Sequence, residues 1–480
     1  MHGRGFQLGV PGSGPETYTI PTVRIYLLSA VAAVAAILPA QTTRPDPKEI
    51  PVPPIQTSMH AMPGVNQLPD RPEMPDVLTL NSGHKITTAA QWTKRRAEMR
   101  EILEYYAVGQ APPPPGNVKG RVLGSQVLMN GKANYKLMEL TFGPKESLCL
   151  DVGIFTPPGG GPVPAVISPA GSPPGSPVRM HLPPGGNQGT GQDALLVVAP
   201  DTPDAGAFGH KGCQVVVTHA PENNGAAAAE KIAASNPALA HGFAYVTFNN
   251  SDCGTDSTLR RPDGSWAFRH EDLFEAYPNY DWGLLRAWAW CESRIVDYLQ
   301  TDPSIDKTKL IVTGVSRTGK AALIAGAFDD RFAMIAPVAS SGGGTPAYRF
   351  SGADRGGKEG LTEMMRKYPN WFSPHLHEFW GQPDKLPFDE HWFIALAAPR
   401  PFIALEGTHD QNVNFNGVRQ SFLAAQSAFN LTKAPDRLGI SWAERPHGMV
   451  QGDWDALLAF ADKFLLGKQI DRRFSEFPSE

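Results

Sequence analysis

From Phe243 to the C-terminus, short apolar runs alternate with longer amphipathic ones, and this alternation restricts the fold more than any other feature of the chain. "FAYVTFNN" (243–250), "KLIVTG" (309–314), "FAMIAPVASS" (332–341), "RPFIALEG" (400–407) and "RLGISWAE" (437–444) read as strands. Between and after them, residues 282–300, 320–330, 418–430 and 453–467 read as helices. Strands separated by helices pair in parallel, and the helices then cover both faces of the sheet. Residues 118–156 read differently, as consecutive short strands, followed by a strand in "PAVISPAG" (164–171). Helical spacing recurs at 89–107 and 225–242, and the Gly- and Pro-rich stretch 172–223 reads as loop with one strand near "CQVVVTHA". An antiparallel start followed by alternating units predicts the α/β class, as a three-layer sandwich with a mostly parallel central sheet on the α/β-hydrolase plan.

The flanks separate from this block. Residues 25–40, "IYLLSAVAAVAAILPA", follow Arg24 and end in small residues and a Pro, the layout of a secretory leader cut after Ala40. The run is too short for a comfortable membrane span. Residues 1–22 precede it unusually, and a start near Val23 would give a tidier leader. Residues 41–76, rich in Pro and Thr, read as a flexible lead; a single catalytic domain is expected over 77–470, with a tail at 471–480. A secreted or periplasmic protein is expected, without stable membrane insertion after leader cleavage. With 43 basic and 47 acidic side chains, the net charge of −4 argues against a nucleic-acid surface. Cys149, Cys213, Cys253 and Cys291 are widely spaced and contain no C-x-x-C pair, which disfavours a cysteine zinc site; in an exported chain they allow one or two disulfides of unread connectivity.

The chemistry concentrates in "GVSRTGKA" (314–321), which lies between a strand and a helix. Read as G-x-x-x-x-G-K it approaches a phosphate-binding loop, but that loop needs Ser or Thr after its Lys to ligate magnesium, and position 321 is Ala. Read as a nucleophile turn, Ser316 stands at the tip and Gly314 lets the backbone bend; Thr318 replaces the second Gly of G-x-S-x-G, and Gly319 comes one place later.

The same stretch resembles the G-C-S-R-x-G-K signature of glucuronoyl esterases of the bacterial type, α/β-hydrolases that cleave the ester between a glucuronic acid group of xylan and a lignin alcohol. "AGAFDDRFAMIAPVASSGGG", "YPNWF", "LPFDEHWFIALAAPRP" and the C-terminal "HG" extend the resemblance over roughly residues 90 to 467. It implies a serine esterase acting on a glucuronoxylan or lignin–carbohydrate ester, monomeric, without metal or cofactor. Ser316 is then the nucleophile, and His447, after the last strand, is the base; His375, His377, His391 and His409 do not follow a last strand. Of the two acid positions the family uses, the first holds Ala339 here, and the second lies in "ALEGTHDQN", where Asp410 is favoured over Glu406. The resemblance further implies that Arg317 serves the oxyanion through its amide and guanidinium, that Lys320 binds sugar hydroxyls, and that Glu363 is a second sugar contact. It departs at Asn412, where a substrate-facing Trp is expected, and at Val315 and Gly448, where fungal members carry a cysteine pair. The alternatives are an acetylxylan or other carbohydrate esterase, or a hydrolase-fold binding protein without turnover.

Overall fold

The computed structural model describes residues 59–177, 225–254, 256, 272–352 and 359–478, together with the short strands at 196–197, 216–217, 259–260 and 266–267. The expected leader at 1–40 lies outside them. The main sheet is built from β1 (Lys119–Leu128), β2 (Ala133–Phe142), β3 (Leu148–Thr156), β4 (Val163–Pro169), β7 (Ala244–Phe248), β10 (Ile305–Val315), β11 (Phe332–Val338), β12 (Phe402–Gly407) and β13 (Leu438–Ala443). Its order is β1-β2-β3-β7-β4-β10-β11-β12-β13. The β1–β2, β2–β3 and β3–β7 pairs are antiparallel, and every pair from β7–β4 onward is parallel. Two further strands, β5 (Leu196–Val197) and β6 (Val216–Val217), pair only with each other, as do β8 (Leu259–Arg260) and β9 (Trp266–Ala267). The strand expected near "CQVVVTHA" therefore belongs to a separate ribbon.

The longer helices are α1 (Ala89–Leu103), α2 (Gly225–Ser235), α3 (Leu284–Leu299), α4 (Arg317–Phe328), α5 (Leu361–Lys367), α6 (Phe415–Leu431) and α7 (Gln451–Leu465). Side chains of a strand alternate between faces. Ile403 and Leu405 of β12 pack with Ala456, Leu457 and Phe460 of α7, whereas Phe402 and Ala404 face the larger core that includes α3, α4 and α6. The same alternation sends the next side chain, Glu406, toward the larger core.

Helix α3 is not half-exposed, as an amphipathic pattern suggests, but buried along nearly its whole length. Two coverings account for this. The Cys253–Cys291 disulfide holds the turn at 250–253 against it, and the indoles of Trp288 and Trp290 donate to the carbonyls of Gly254 and Pro112, both at 2.9 Å. Its buried arginines are paired, Arg286 with Glu104 at 3.0 Å and Arg294 with Asp297 at 2.6 Å, whereas burial pushes the Glu292 carboxyl well up.

Two boundaries are corrected. Residues 59–76 are tied down rather than flexible, because their backbone carbonyls satisfy buried donors that would otherwise be orphaned. The carbonyl of Pro75 accepts from Trp392 Nε1 at 3.2 Å and lies 2.8 Å from His391 Nε2; that of Arg71 accepts from Arg349 at 2.9 Å, and that of Pro63 from Tyr106 at 2.6 Å. The expected tail also belongs to the domain through residue 478. The amide of Ile440 on the edge strand β13 donates to Phe474 O at 2.6 Å, and the Phe474 ring packs on Phe460.

Candidate active site

Ser316 sits between β10 and α4 with φ 60 and ψ −122, a left-handed conformation that costs a non-glycine residue on the order of 1–3 kcal/mol. The neighbouring residues make the bend feasible. A Cβ at Gly314 would meet Thr318 O at 2.5 Å, and one at Gly319 would meet Gly314 O at 2.8 Å and Val338 O at 2.9 Å. Thr318, out of pattern in the sequence, locks the turn: its hydroxyl accepts from Val315 N and donates to Val315 O, both at 2.9 Å. The one-place shift of the second glycine thus has a physical reason. Thr318 fastens the turn, and Gly319 supplies the close approach to β11.

The bend leaves Ser316 half-buried at the N-terminus of α4, while Lys320 N donates back to Ser316 O at 3.0 Å. The amide of Arg317 lies in the first turn, where helical N–H groups lack intrahelical acceptors and the helix dipole favours negative charge.

Strand ends bring the other groups to the same side. Ser316, Asp410 and His447 all follow the C-terminal ends of parallel strands, β10, β12 and β13 respectively, where open α/β sheets place their sites. The loops after β12 and β13 are bonded to each other: Thr408 N donates to Ala443 O at 2.9 Å, and His409 N to Arg445 O at 3.1 Å. Buried Arg445 fixes the second loop by a two-pronged pair with Asp453 at 2.6 and 3.1 Å and a bond to Leu405 O at 3.1 Å. His447 Nδ1 then lies 2.7 Å from Asp410 Oδ2, and Asp410 Oδ1 accepts from Asn412 N at 2.9 Å. Burial pushes the Asp410 carboxyl up, but the imidazole and the Asn412 amide together outweigh it and hold the group below its ordinary value. Asp410 is therefore ionised beside a part-exposed imidazole.

Glu406, the rival acid, is directed elsewhere. It is fully buried, and its Oε1 accepts from Thr345 Oγ1 at 2.6 Å, while Oε2 has no hydrogen-bond partner among the described residues. Burial pushes its carboxyl up to about 8, against the opposing Thr345 bond. Between the ordinary value near 4.5 and about 8, the folded state keeps a proton that the unfolded chain has released, so stability falls as pH rises through this window. Glu406→Gln keeps the acceptor for Thr345 and removes the titration. Its Tm relative to the parent is expected to rise by roughly 2–4 °C between pH 5 and pH 9 in thermal scans; a pH-independent difference would contradict the assignment. Ala339, at the other possible acid position, is buried with φ 45 among apolar side chains, including Val338 and Leu405.

The remaining expected residues divide. Lys320 is buried beneath the turn rather than solvated. Burial pushes its ammonium down to about 8, opposed by Glu359, Glu390 and Glu406, and its Nζ lies 5.5 Å from the Trp371 ring centroid. Arg317 is paired with Asp256 and stands over the same ring at 5.4 Å. Glu363 lies in the first turn of α5. Its Oε2 accepts from Gly360 N at 3.2 Å, capping α5, while Glu359, just before that cap, is among the carboxyls that act on the Lys320 ammonium. Asp256, Trp371 and Glu359, which stand against Arg317 and Lys320, were not singled out from the sequence. "YPNWF" was the only signal for Trp371, and Asp256 and Glu359 carry no local pattern. His377 and His391 are buried against the carbonyls of Pro369 and Pro75, and His375 stacks on Tyr105. Among the described residues no group of three or more His, Cys, Asp or Glu side chains is arranged to hold a metal ion.

Known proteins resemble this chain in sequence and fold. A family model described as glucuronyl esterase, fungi, matches residues 213–432. A carbohydrate esterase of an unknown prokaryotic organism is 29% identical over 414 residues, which span 82% of this chain and 90% of the relative. A 4-O-methyl-glucuronoyl methylesterase of Podospora anserina is 27% identical over 405 residues, 83% of this chain and 68% of its own. Among solved structures, a promiscuous esterase of carbohydrate esterase family 15 from a marine bacterial metagenome superposes with a TM-score of 0.62 at 26% identity, covering 83% of this chain and 98% of that one. A glucuronoyl esterase of the same family from Caldicellulosiruptor kristjansonii superposes with a TM-score of 0.60 at 26% identity, covering 85% and 94%.

Proposed function

This chain belongs to the glucuronoyl esterase family, carbohydrate esterase family 15, and from that premise we propose that it is a serine esterase hydrolysing esters of 4-O-methyl-glucuronoyl groups of xylan with lignin alcohols. The observation that carries this reading is the ionised Asp410 held 2.7 Å from the His447 imidazole, on the side of the sheet where the strained Ser316 turn emerges.

In this reading Ser316 Oγ attacks the uronoyl carbonyl while His447 Nε2 takes its proton. Asp410 fixes the imidazole tautomer with the proton on Nδ1 and stabilises the ring when it becomes cationic. The carbonyl oxygen gains negative charge and is met by the Arg317 amide and guanidinium, a preorganised pair of donors. His447 then protonates the alcohol as the C–O bond breaks, leaving a uronoyl ester on Ser316. Water, activated by the same imidazole, hydrolyses that ester and regenerates Ser316. Lys320 forms the polar floor for sugar hydroxyls together with Glu359, one of the carboxyls that act on its ammonium, while Glu363 caps α5. The apolar leader expected at 25–40 supports secretion or delivery to a periplasm, where xylan-sized substrates are reached. No described helix is long and apolar enough to cross a membrane.

The test compares substrates. The kcat/KM for methyl 4-O-methyl-glucuronate is expected to exceed that for acetylated xylan by at least about 10²-fold, since a site built to hydrogen-bond one substrate leaves polar groups unpaired with another. The reverse order would make the protein an acetylxylan esterase.

A further inference from the structure

Arg317 projects from the first turn of α4 with 47% of its side chain exposed, and a long side chain so exposed samples many rotamers unless something holds it. Here two groups do. The Asp256 carboxylate engages both of its oxygens, Oδ2 with Arg317 Nη1 and Oδ1 with the Trp371 indole N–H at 2.7 Å. The guanidinium carbon stands 5.4 Å over the Trp371 ring, within cation–π range. Trp371 is itself buried and stacked on Tyr368 at 3.8 Å and 6°, so the surface against which Arg317 rests is fixed. Asp256 is anchored from the other direction. Three residues before it, Cys253 is bonded to Cys291 of the buried α3, and between them Gly254 O accepts from Trp288 Nε1 at 2.9 Å.

We infer that Asp256 is a positioning residue for Arg317: it bridges the guanidinium to the Trp371 indole and so sets the cationic group beside Ser316 before substrate arrives. The inference rests on the esterase reading above. Its physical content is preorganisation. A donor already in place when the oxyanion forms stabilises the transition state without reordering at that moment. A freely rotating guanidinium must be ordered during the reaction, and a small misplacement of such a group costs as much as about 10²-fold in rate. The ground-state ester carries no charge at the carbonyl, so the effect falls on kcat and leaves KM nearly unchanged.

A double-mutant cycle on a methyl glucuronate ester tests this. Asp256→Asn preserves the shape and an acceptor for the indole and removes the charge that orients Arg317. It is expected to lower kcat by roughly 10- to 100-fold with KM within about twofold. In an Arg317→Ala background the same exchange should change kcat by less than about twofold, because the group it positions is gone. Trp371→Phe keeps the ring face and deletes the N–H that holds the carboxylate. It should produce a smaller loss that likewise vanishes without Arg317. Asp256→Asn activity equal to wild type, or an equal fractional loss in both backgrounds, overturns the positioning role; the second result, with a lowered Tm, would mark a purely structural loop contact. Wild-type turnover indifferent to Ser316→Ala would remove the esterase reading and this role together. A Ser316-dependent wild type with an indifferent Asp256→Asn removes this role alone.

Discussion

Ser316→Ala is expected to lower kcat on a methyl glucuronate ester by about 10⁶-fold while leaving ester binding largely intact, as judged by calorimetry with the intact ester. Covalent catalysis divides the hydrolysis into two displacements, and both pass through the serine oxygen; without it, water must attack the bound ester directly. The oxyanion donors and the bound geometry persist in the variant, so a residual acceleration on the order of 10³ over water is expected to remain. The fold should tolerate the exchange. The strain at Ser316 comes from φ 60, which Ala adopts at a similar cost, and the turn is fastened by Thr318 and by Ser316 N on Val338 O at 2.9 Å, neither of which uses the serine hydroxyl. A large loss with an unchanged Tm therefore isolates chemistry from stability. Equal rates would leave a binding protein built on a hydrolase fold.

The sheet was legible in the sequence because period and length leave little choice. Runs such as "LIV" in "KLIVTG" put consecutive apolar residues on both faces, as a strand covered on both faces requires, and intervening helices forbid hairpins. Ends were less legible. Strand β10 begins at Ile305, four residues before the run, because Ile305 already pairs with Val163 of β4 ahead of a register shift that ends at Leu310. The Pro-rich stretch before residue 77 read as flexible because composition reports what a segment cannot do by itself, namely form a core. It does not report that the domain has buried indole, imidazole and guanidinium groups in need of acceptors, which the carbonyls at Arg71 and Pro75 provide.

The site divides along the same line. Ser316, Asp410 and His447 were reachable because each follows a recognisable strand, and strand order carries the geometry. Lys320 was reachable by its spacing from Ser316 on one helix. Asp256 and Glu359 were not, since each acts across the molecule on a partner more than thirty residues away, and no local periodicity marks such a pair. Glu363 came from the family resemblance alone, and in the fold its carboxylate caps the helix beginning at Leu361.

Asp410→Asn is expected to lower kcat by about 10³- to 10⁴-fold, and Glu406→Gln by no more than about threefold, under the same substrate and pH. The two carboxyls stand four residues apart, yet their surroundings give them opposite charge states. Asp410 accepts two N–H groups and is held ionised; Glu406 is enclosed, bonded to one hydroxyl, and pushed up to about 8. A carboxylate serves the imidazole by keeping the proton on Nδ1 and by stabilising the positive ring once Ser316 has given up its proton. An asparagine amide at 410 offers the ring a donor as readily as an acceptor, permits the wrong tautomer, and lends no charge to the cation. Glu406 makes neither contact with His447, so its neutralisation costs catalysis little. Ala339 carries no carboxyl and is buried among apolar side chains including Val338 and Leu405, which leaves the loop after β12 to supply the acid. Parity between the two variants, or the larger loss at Glu406, would instead place the orienting charge at the end of β12 and require Thr345 to relay it.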